Sequence, residues 1–123
     1  MPDMSLLWVA DSFYVGVRDI AAATSWYIEK LGLERTEVEL DDGEGCVALI
    51  FPKEISAPIV LGPLVTSSDG TTRMLYTGAI KKAREWLSSR GVNVGALEED
   101  RQGTHYFEMR DMEGNAIEVT EAP

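Results

Sequence analysis

The sequence predicts a single α+β domain built from two copies of a βαβββ unit. An alternating segment at 12–18 runs directly into a segment with helical periodicity, and the same order returns about sixty residues later. Three further strand-like segments follow each predicted helix. An internal duplication is the simplest interpretation of this pattern.

The first unit begins with the alternating sequence SFYVGVR. Phe13, Val15 and Val17 fall on one face of the predicted strand, as expected for a strand buried on one side. Asp19 is placed to cap the helix that follows, and Gly32 is placed to end it. Three strands are predicted next, separated by the turn sequence DDGEG and a proline-containing turn, at 33–39, 45–51 and 58–62.

The second unit repeats the pattern with RMLYT as a strand and GAIKKAREWLSSRG as a helix. The apolar helix positions match at one offset, because Ile20, Ala23 and Trp26 correspond to Ile80, Ala83 and Trp86. The remaining strands are predicted at 92–98, 104–110 and 115–121, the last two joined by DMEGN. Each helix is expected to cover one face of its sheet, which leaves the other face to line a cavity.

These boundaries divide the single domain, 1–123, into two modules. Module one is predicted at about 8–63 and module two at about 72–121. The hydroxyl-rich sequence VTSSDGTT marks the flexible linker, at about 64–71, between them.

The composition is that of a soluble globular protein, with 45% hydrophobic and 26% charged residues. The longest clear apolar run, CVALIF, has the length of a strand, far short of the roughly 20 residues that span a bilayer. The N-terminus has no basic start typical of a secretion signal, so a cytoplasmic protein without a membrane partner is predicted. The single cysteine, Cys46, cannot form an internal disulfide and is expected in the core.

Eleven basic and 21 acidic residues give a formal charge of −10. This charge would repel a phosphate backbone, so nucleic acid is excluded as a predicted partner. Two interpretations remain open at this point. The charge serves solubility, or it draws a cationic small molecule toward a cavity.

The opening SFYVGVRDIAAATSWYIEKLGLE and the ending YFEMRDMEGNAIEV resemble the vicinal oxygen chelate superfamily. This superfamily includes glyoxalase I, bleomycin resistance proteins, fosfomycin resistance enzymes and extradiol dioxygenases. The resemblance covers about 8–121, and its most specific part is the closing aromatic strand followed by Asp-x-x-Gly-Asn-x-Ile-Glu. It implies two βαβββ modules that form a curved, incompletely closed mixed sheet around a cavity, commonly in a homodimer.

Enzymes of this superfamily typically hold a divalent metal through His, Gln and Glu side chains on four strands. The corresponding positions here are Ser12, Val60 or its neighbour, Thr72 or its neighbour, and Glu118. Only Glu118 has a suitable side chain, and the single histidine, His105, and single glutamine, Gln102, lie elsewhere. No metal and no cofactor are therefore predicted.

Two glutamates are predicted on neighbouring strands of module two. In HYFEMR and AIEVT, the apolar residues share one face, so Glu108 and Glu118 point together to the other. The two carboxylates would repel each other, and burial would raise their pKa values. Three interpretations remain open: an ion-pair network with Arg110, Arg18 or Arg73, binding of an organic cation, or general acid–base catalysis by one glutamate.

The predicted ligand-binding residues are Ser12, Tyr14, Tyr76, Tyr106, Glu108 and Glu118. Trp26 and Trp86 are expected to pack in the core and His105 to be packed or hydrogen-bonded, whereas Trp8 flanks either a pocket or an interface.

The predicted function is metal-independent binding or sequestration of a small organic molecule, cationic or aromatic, as in bleomycin resistance proteins. The alternative is a glyoxalase-like lyase or isomerase, with or without a divalent metal, in which Glu118 or Glu108 moves a proton. A third possibility is a protein interaction module that uses an exposed sheet edge.

Overall fold

A computed structural model of the chain describes residues 7–36, 45–52, 56–64 and 73–122. Its strands are β1 (Phe13–Val17), β2 (Glu34–Arg35), β3 (Val47–Ile50), β4 (Ile59–Pro63), β5 (Met74–Thr77), β6 (Asn93–Val94), β7 (Glu98–Glu99), β8 (His105–Arg110) and β9 (Ala116–Glu121). Its helices are α1 (Ile20–Leu31) and α2 (Ile80–Ser89). Almost all of the predicted linker, Thr72 and the end of the predicted strand at 33–39 lie outside the described residues.

Each module forms its own mixed sheet. In the first, β1 lies parallel to β4, and β3 and β2 extend the sheet antiparallel in the order β1-β4-β3-β2. In the second, β5 lies parallel to β9, β9 pairs antiparallel with β8, and β6 and β7 both pair with β8. The predicted α+β class with two modules is confirmed, and the strands that the structure describes are not closed into a barrel.

Helix α1 begins and ends as its sequence predicts. The Asp19 carboxylate accepts a hydrogen bond from the backbone N–H of Ala22 at 3.0 Å, which caps the first turn. Gly32 adopts the left-handed conformation, with φ of 78°, and its N–H donates to the carbonyl of Ile28. Among the described residues, no helix is long and apolar enough to cross a membrane.

The strand predicted at 92–98 is instead divided into β6 and β7. Both short strands pair with β8, but 95–97 interrupts them. Gly95 makes the closest approach, since its N–H donates to the Glu108 carbonyl at 2.7 Å. This interruption is a bulge in an edge strand, a feature that residue alternation alone does not specify.

The two modules share one hydrophobic core. The predicted apolar face of β8 and β9 is confirmed, since its four residues have no exposed surface: Phe107, Met109, Ile117 and Val119. The buried residues of both helices, including Tyr27 and Leu31 from α1 and Ala83 and Leu87 from α2, belong to the same cluster. Trp26 and Trp86 pack against it while partly exposed.

The DMEGN turn between β8 and β9 joins the second module to the first. Asp111 is buried, and its carboxylate accepts hydrogen bonds from the Tyr27 hydroxyl at 2.6 Å and the Asn115 side chain at 3.0 Å. Burial and the negative charge of Asp111 raise the pKa of Tyr27, so this hydroxyl stays protonated. The Glu113 carboxylate accepts from the backbone N–H of Arg18 at 2.7 Å, at the start of α1.

A short segment before β1 also touches both modules. Trp8 and Tyr76 exchange two backbone hydrogen bonds, of 3.0 and 2.9 Å, so residues around Trp8 extend the second sheet beyond β5. The carbonyl of Val9 accepts from Ala57, which belongs to the first module. Leu7 and Val9 are buried in the common core, and Trp8 lies on the opposite face of the segment.

Candidate functional site

The candidate site lies on the face of the second sheet that is opposite the core. We call this the polar face of the second sheet, and its residues are Trp8, Met74, Tyr76, Tyr106, Glu108, Glu118 and Thr120. Four of the six predicted ligand-binding residues are therefore brought together on one surface: Tyr76, Tyr106, Glu108 and Glu118.

Strand register arranges these side chains in two rows. Tyr76 pairs with Thr120, and Thr120 pairs with Tyr106, so these residues cross the sheet in an aromatic row that Trp8 extends at the β5 edge. Met74 pairs with Glu118, and Glu118 with Glu108, which forms the neighbouring acidic row. Rows two residues apart along a strand are separated by about 7 Å.

Trp8 adds an aromatic ring to the polar face, at a position that the sequence left open between a pocket and an interface. Its ring stacks beside that of Tyr76, with ring centroids 6.3 Å apart and planes inclined by 23°. The rings share a face because Trp8 and Tyr76 are directly paired residues on neighbouring segments. Thr120, the small member of the aromatic row, is buried, whereas Tyr76 and Tyr106 on either side are half-buried.

The two glutamates are direct cross-strand neighbours but have different environments. Glu108 is 54% exposed and forms an ion pair with Arg110 at 3.0 Å, so the predicted ion-pair interpretation applies to it. Within the described ranges, Glu118 forms no ion pair with any basic residue. Burial raises the pKa of the Glu118 carboxyl, and the negative charge of Asp100 raises it further.

The other two predicted ligand-binding residues lie in or beside the first sheet. Ser12 is exposed before β1, and its hydroxyl donates to the Pro58 carbonyl at 2.7 Å. Tyr14 lies on β1, and its hydroxyl donates to the Pro63 carbonyl. Both hydroxyls are therefore engaged in contacts within module one.

His105 lies at one end of the second sheet and contacts two carboxylates. Its Nε2 is 3.2 Å from Glu99, and its Nδ1 is 3.1 Å from Glu121. The prediction of a hydrogen-bonded histidine is thus confirmed, although its side chain is 38% exposed.

The residues at the metal-binding positions of the superfamily do not fit a divalent ion. The Ser12 hydroxyl is directed to a carbonyl, Val60 has no donor atom, and Glu118 is the one carboxylate among them. In the part of the chain that the structure describes, no group of three or more His, Cys, Asp or Glu residues could hold a metal ion.

Comparison with known proteins agrees with the two-module fold. Residues 6–119 match the sequence profile of the Glyoxalase/Bleomycin resistance protein/Dioxygenase superfamily. The chain belongs to this superfamily. The resemblance found in the opening and closing sequences is thereby confirmed. No curated protein sequence gives a significant match.

Solved structures of this superfamily align over nearly the whole chain. A member from Sphaerobacter thermophilus DSM 20745 is 25% identical, with a TM-score of 0.73 and coverage of 94% of this chain and 97% of that chain. TnmS3, an antibiotic binding protein from Streptomyces sp. CB03234, is 23% identical, with a TM-score of 0.72 and coverage of 94% and 95%. Lactoylglutathione lyase from Agrobacterium tumefaciens is 20% identical, with a TM-score of 0.59 and coverage of 90% and 91%.

Proposed function

We propose that the protein binds or sequesters a small organic molecule, cationic or aromatic, without a metal ion. The main binding surface in this proposal is the part of the polar face of the second sheet around Glu118, since Arg110 already offsets the charge of Glu108. The observation that carries it is Glu118, a half-buried carboxylate beside Tyr76 and Tyr106 that has no basic partner among the described residues. A ligand cation would neutralise Glu118 while the aromatic rings cover its apolar surface.

The relatives support binding as a function of this fold. TnmS3 is described as an antibiotic binding protein, and bleomycin resistance proteins give their name to part of the superfamily. The formal charge of −10 favours approach of a positively charged compound over a distance. In this proposal Ser12 and Tyr14 contribute from the first sheet, and the protein acts as a cytoplasmic homodimer.

A thermal-shift comparison tests the proposal. Chelator-treated protein is screened against Ni²⁺, Zn²⁺, Mn²⁺ and Fe²⁺ and, separately, against cationic and aromatic compounds. A ligand at a hundred times its dissociation constant adds about 2.7 kcal/mol of stability. We expect organic compounds to stabilise the wild type, Glu118→Gln to weaken the effect for cations, and the matched variant Glu108→Gln to preserve it. Stabilisation by a metal that Glu118→Gln abolishes would overturn the metal-independent proposal.

A second candidate function is a glyoxalase-like lyase or isomerase reaction, which the raised pKa of Glu118 favours. A carboxylate with a raised pKa is a better proton acceptor near neutral pH than an ordinary one. A stabilising compound identified in the screen is incubated with the protein in D₂O. Deuterium incorporation at carbon that depends on Glu118 and rises with pH would favour catalysis. Tight binding of a chemically unchanged compound would favour sequestration.

A further inference from the structure

The aromatic row is long enough to receive more than a single ring. Trp8, Tyr76, Thr120 and Tyr106 occupy four adjacent strand positions, so the row extends across about 14 Å of sheet. Its central member, Thr120, is small and buried, whereas the aromatic residues on either side retain exposed surface. A flat, extended ring system has the shape that could contact several of these rings together.

The charge of the acidic row is concentrated on one of its two glutamates. Arg110 lies 3.0 Å from Glu108 and offsets its charge, and both side chains are about half exposed to water. Glu118 is more enclosed and has no such partner in the described ranges. Electrostatic attraction of a ligand should therefore depend on Glu118 much more than on Glu108.

The two rows have a fixed relation that defines the shape of a ligand. Glu118 lies two residues before Thr120 on β9, so its Cα lies about 7 Å to one side of the aromatic row. It is a diagonal neighbour of Tyr106, at a distance that long side chains can bridge. A charged group attached to the side of a flat ring system would reach Glu118 while the rings cover the aromatic row.

We propose that the ligand is a flat, fused aromatic cation that lies along Trp8, Tyr76 and Tyr106 with its positive charge at Glu118. This inference rests on the proposed function and narrows the class of compound. It assigns Trp8, from the segment before β1, as a residue that contacts the ligand. It also predicts that Glu108 does not contribute to binding, because Arg110 already offsets its charge.

Three probes separate ring recognition from charge recognition. Proflavine is a fused tricyclic cation, acridone is a fused tricyclic neutral compound, and 1-adamantylammonium is a cation without an aromatic ring. Dissociation constants are measured by fluorescence for the first two probes and by calorimetry for all three. We expect proflavine to bind about tenfold or more tightly than either control, because only proflavine uses both rows.

Matched variants test the role of each row. Glu118→Gln should weaken proflavine binding about tenfold and change acridone binding by less than about twofold, because the amide keeps the shape and removes the charge. Glu108→Gln should leave both constants nearly unchanged. Trp8→Leu should weaken both tricyclic probes several-fold, and Tyr106→Leu provides a second test because it leaves the segment around Trp8 intact. Melting temperatures identify any variant that fails to fold.

The outcomes distinguish this inference from the function on which it rests. Equal binding of proflavine and acridone, or equal loss in Glu118→Gln and Glu108→Gln, would overturn the cation assignment while small-molecule binding stands. Binding of 1-adamantylammonium as tight as that of proflavine would overturn the aromatic assignment. If none of the probes and no compound of the wider thermal-shift panel binds, both the inference and the proposed function are wrong.

Discussion

Equivalent positions of the two sheets carry chemically different side chains. The repeat aligns Tyr14 of β1 with Met74 of β5, and their parallel partners are Val60 and Glu118. Two residues further along, the first sheet has Gly16 paired with Gly62, where the second has Tyr76 paired with Thr120. The first sheet thus has Val60 where the second has Glu118, and Gly16 where the second has Tyr76.

The first sheet uses its tyrosine for internal packing. Tyr14 lies across Gly62, and its hydroxyl bonds to the Pro63 carbonyl. Burial raises the pKa of Tyr14, and its interaction with Cys46 raises it further. In the second sheet, the hydroxyls of Tyr76 and Tyr106 make no hydrogen bond to another described residue. The described tyrosine hydroxyl of the first sheet is thus engaged within that sheet, whereas those of the second sheet have no hydrogen-bond partner among the described residues.

The largest effect is expected where the two modules are joined. Asp111→Ala removes a buried acceptor of four hydrogen bonds, two of them from the backbone N–H groups of Glu113 and Asn115. It also leaves the buried Tyr27 hydroxyl without its partner. We expect a loss of about 3 to 5 kcal/mol in the free energy of unfolding, measured by urea denaturation.

Tyr27→Phe is the matched control for this joint, because it removes one donor and keeps the ring. Its expected cost is smaller, about 1 to 2 kcal/mol, since Asp111 retains its other donors. An Asp111→Ala protein as stable as the wild type would show that the hydrogen bonds of Asp111 add no net stability to this joint. The common core and the contact of Glu113 with Arg18 would then hold the modules together.

A smaller effect is expected at the glycine of the first sheet. A Cβ atom at Gly62 would lie 2.5 Å from the Tyr14 hydroxyl oxygen and 2.9 Å from the Cys46 sulfur. Gly62→Ala must therefore displace the packed tyrosine, at a cost of about 1 to 3 kcal/mol in thermal or urea unfolding. At the equivalent position of the second sheet, Thr120→Ala should cost less, under about 1 kcal/mol.

The Tyr14→Leu background shows whether the tyrosine causes this cost. Because the leucine side chain is shorter, the part of the Gly62→Ala penalty that is due to Tyr14 should disappear in the double variant, and the part due to the Cys46 sulfur should remain. A penalty that is unchanged there would mean that Tyr14 is not the residue that excludes a side chain at Gly62. The contrast between the packing of the first sheet and that of the second would then lose its structural basis.

Much of the fold follows from local sequence patterns. Alternation places Phe107 and Met109 in the core and Glu108 opposite, and the caps of α1 follow from Asp19 and Gly32. The division of 92–98 into two strands does not follow in this way. It depends on the approach of Gly95 to the Glu108 carbonyl, a contact between strands.

The sequence predicted which types of residue form the candidate site, but it predicted only part of their spatial arrangement. Parity put Glu108 and Glu118 on the same face, but it could not show that Arg110 pairs with one of them. Trp8 was left open between a pocket and an interface because its place is fixed by pairing with Tyr76, far away in the sequence. A signal was present, since Leu7 and Val9 alternate with Trp8 as in a strand with one buried face.

The smallest effect is expected at Glu118, the residue that most distinguishes the second sheet from the first. Because its pKa is raised in the folded protein, folding disfavours the ionised carboxylate. The wild type should therefore lose some stability as pH rises through the ordinary glutamate value of about 4.3 and the higher folded value. Glu118→Gln cannot ionise and should keep that stability.

The decisive measurement is the sign of the difference in melting temperature between Glu118→Gln and the wild type. The melting temperature of Glu118→Gln should be close to that of the wild type near pH 4 and exceed it by pH 7. Glu108→Gln should show no comparable gain, because Glu108 is exposed and its charge is offset by Arg110. A Glu118→Gln protein that becomes less stable than the wild type as pH rises would indicate that the carboxylate already has a cationic partner within the protein. Such a partner would neutralise the Glu118 carboxylate within the protein. It would therefore remove the reason to expect a ligand at the second sheet.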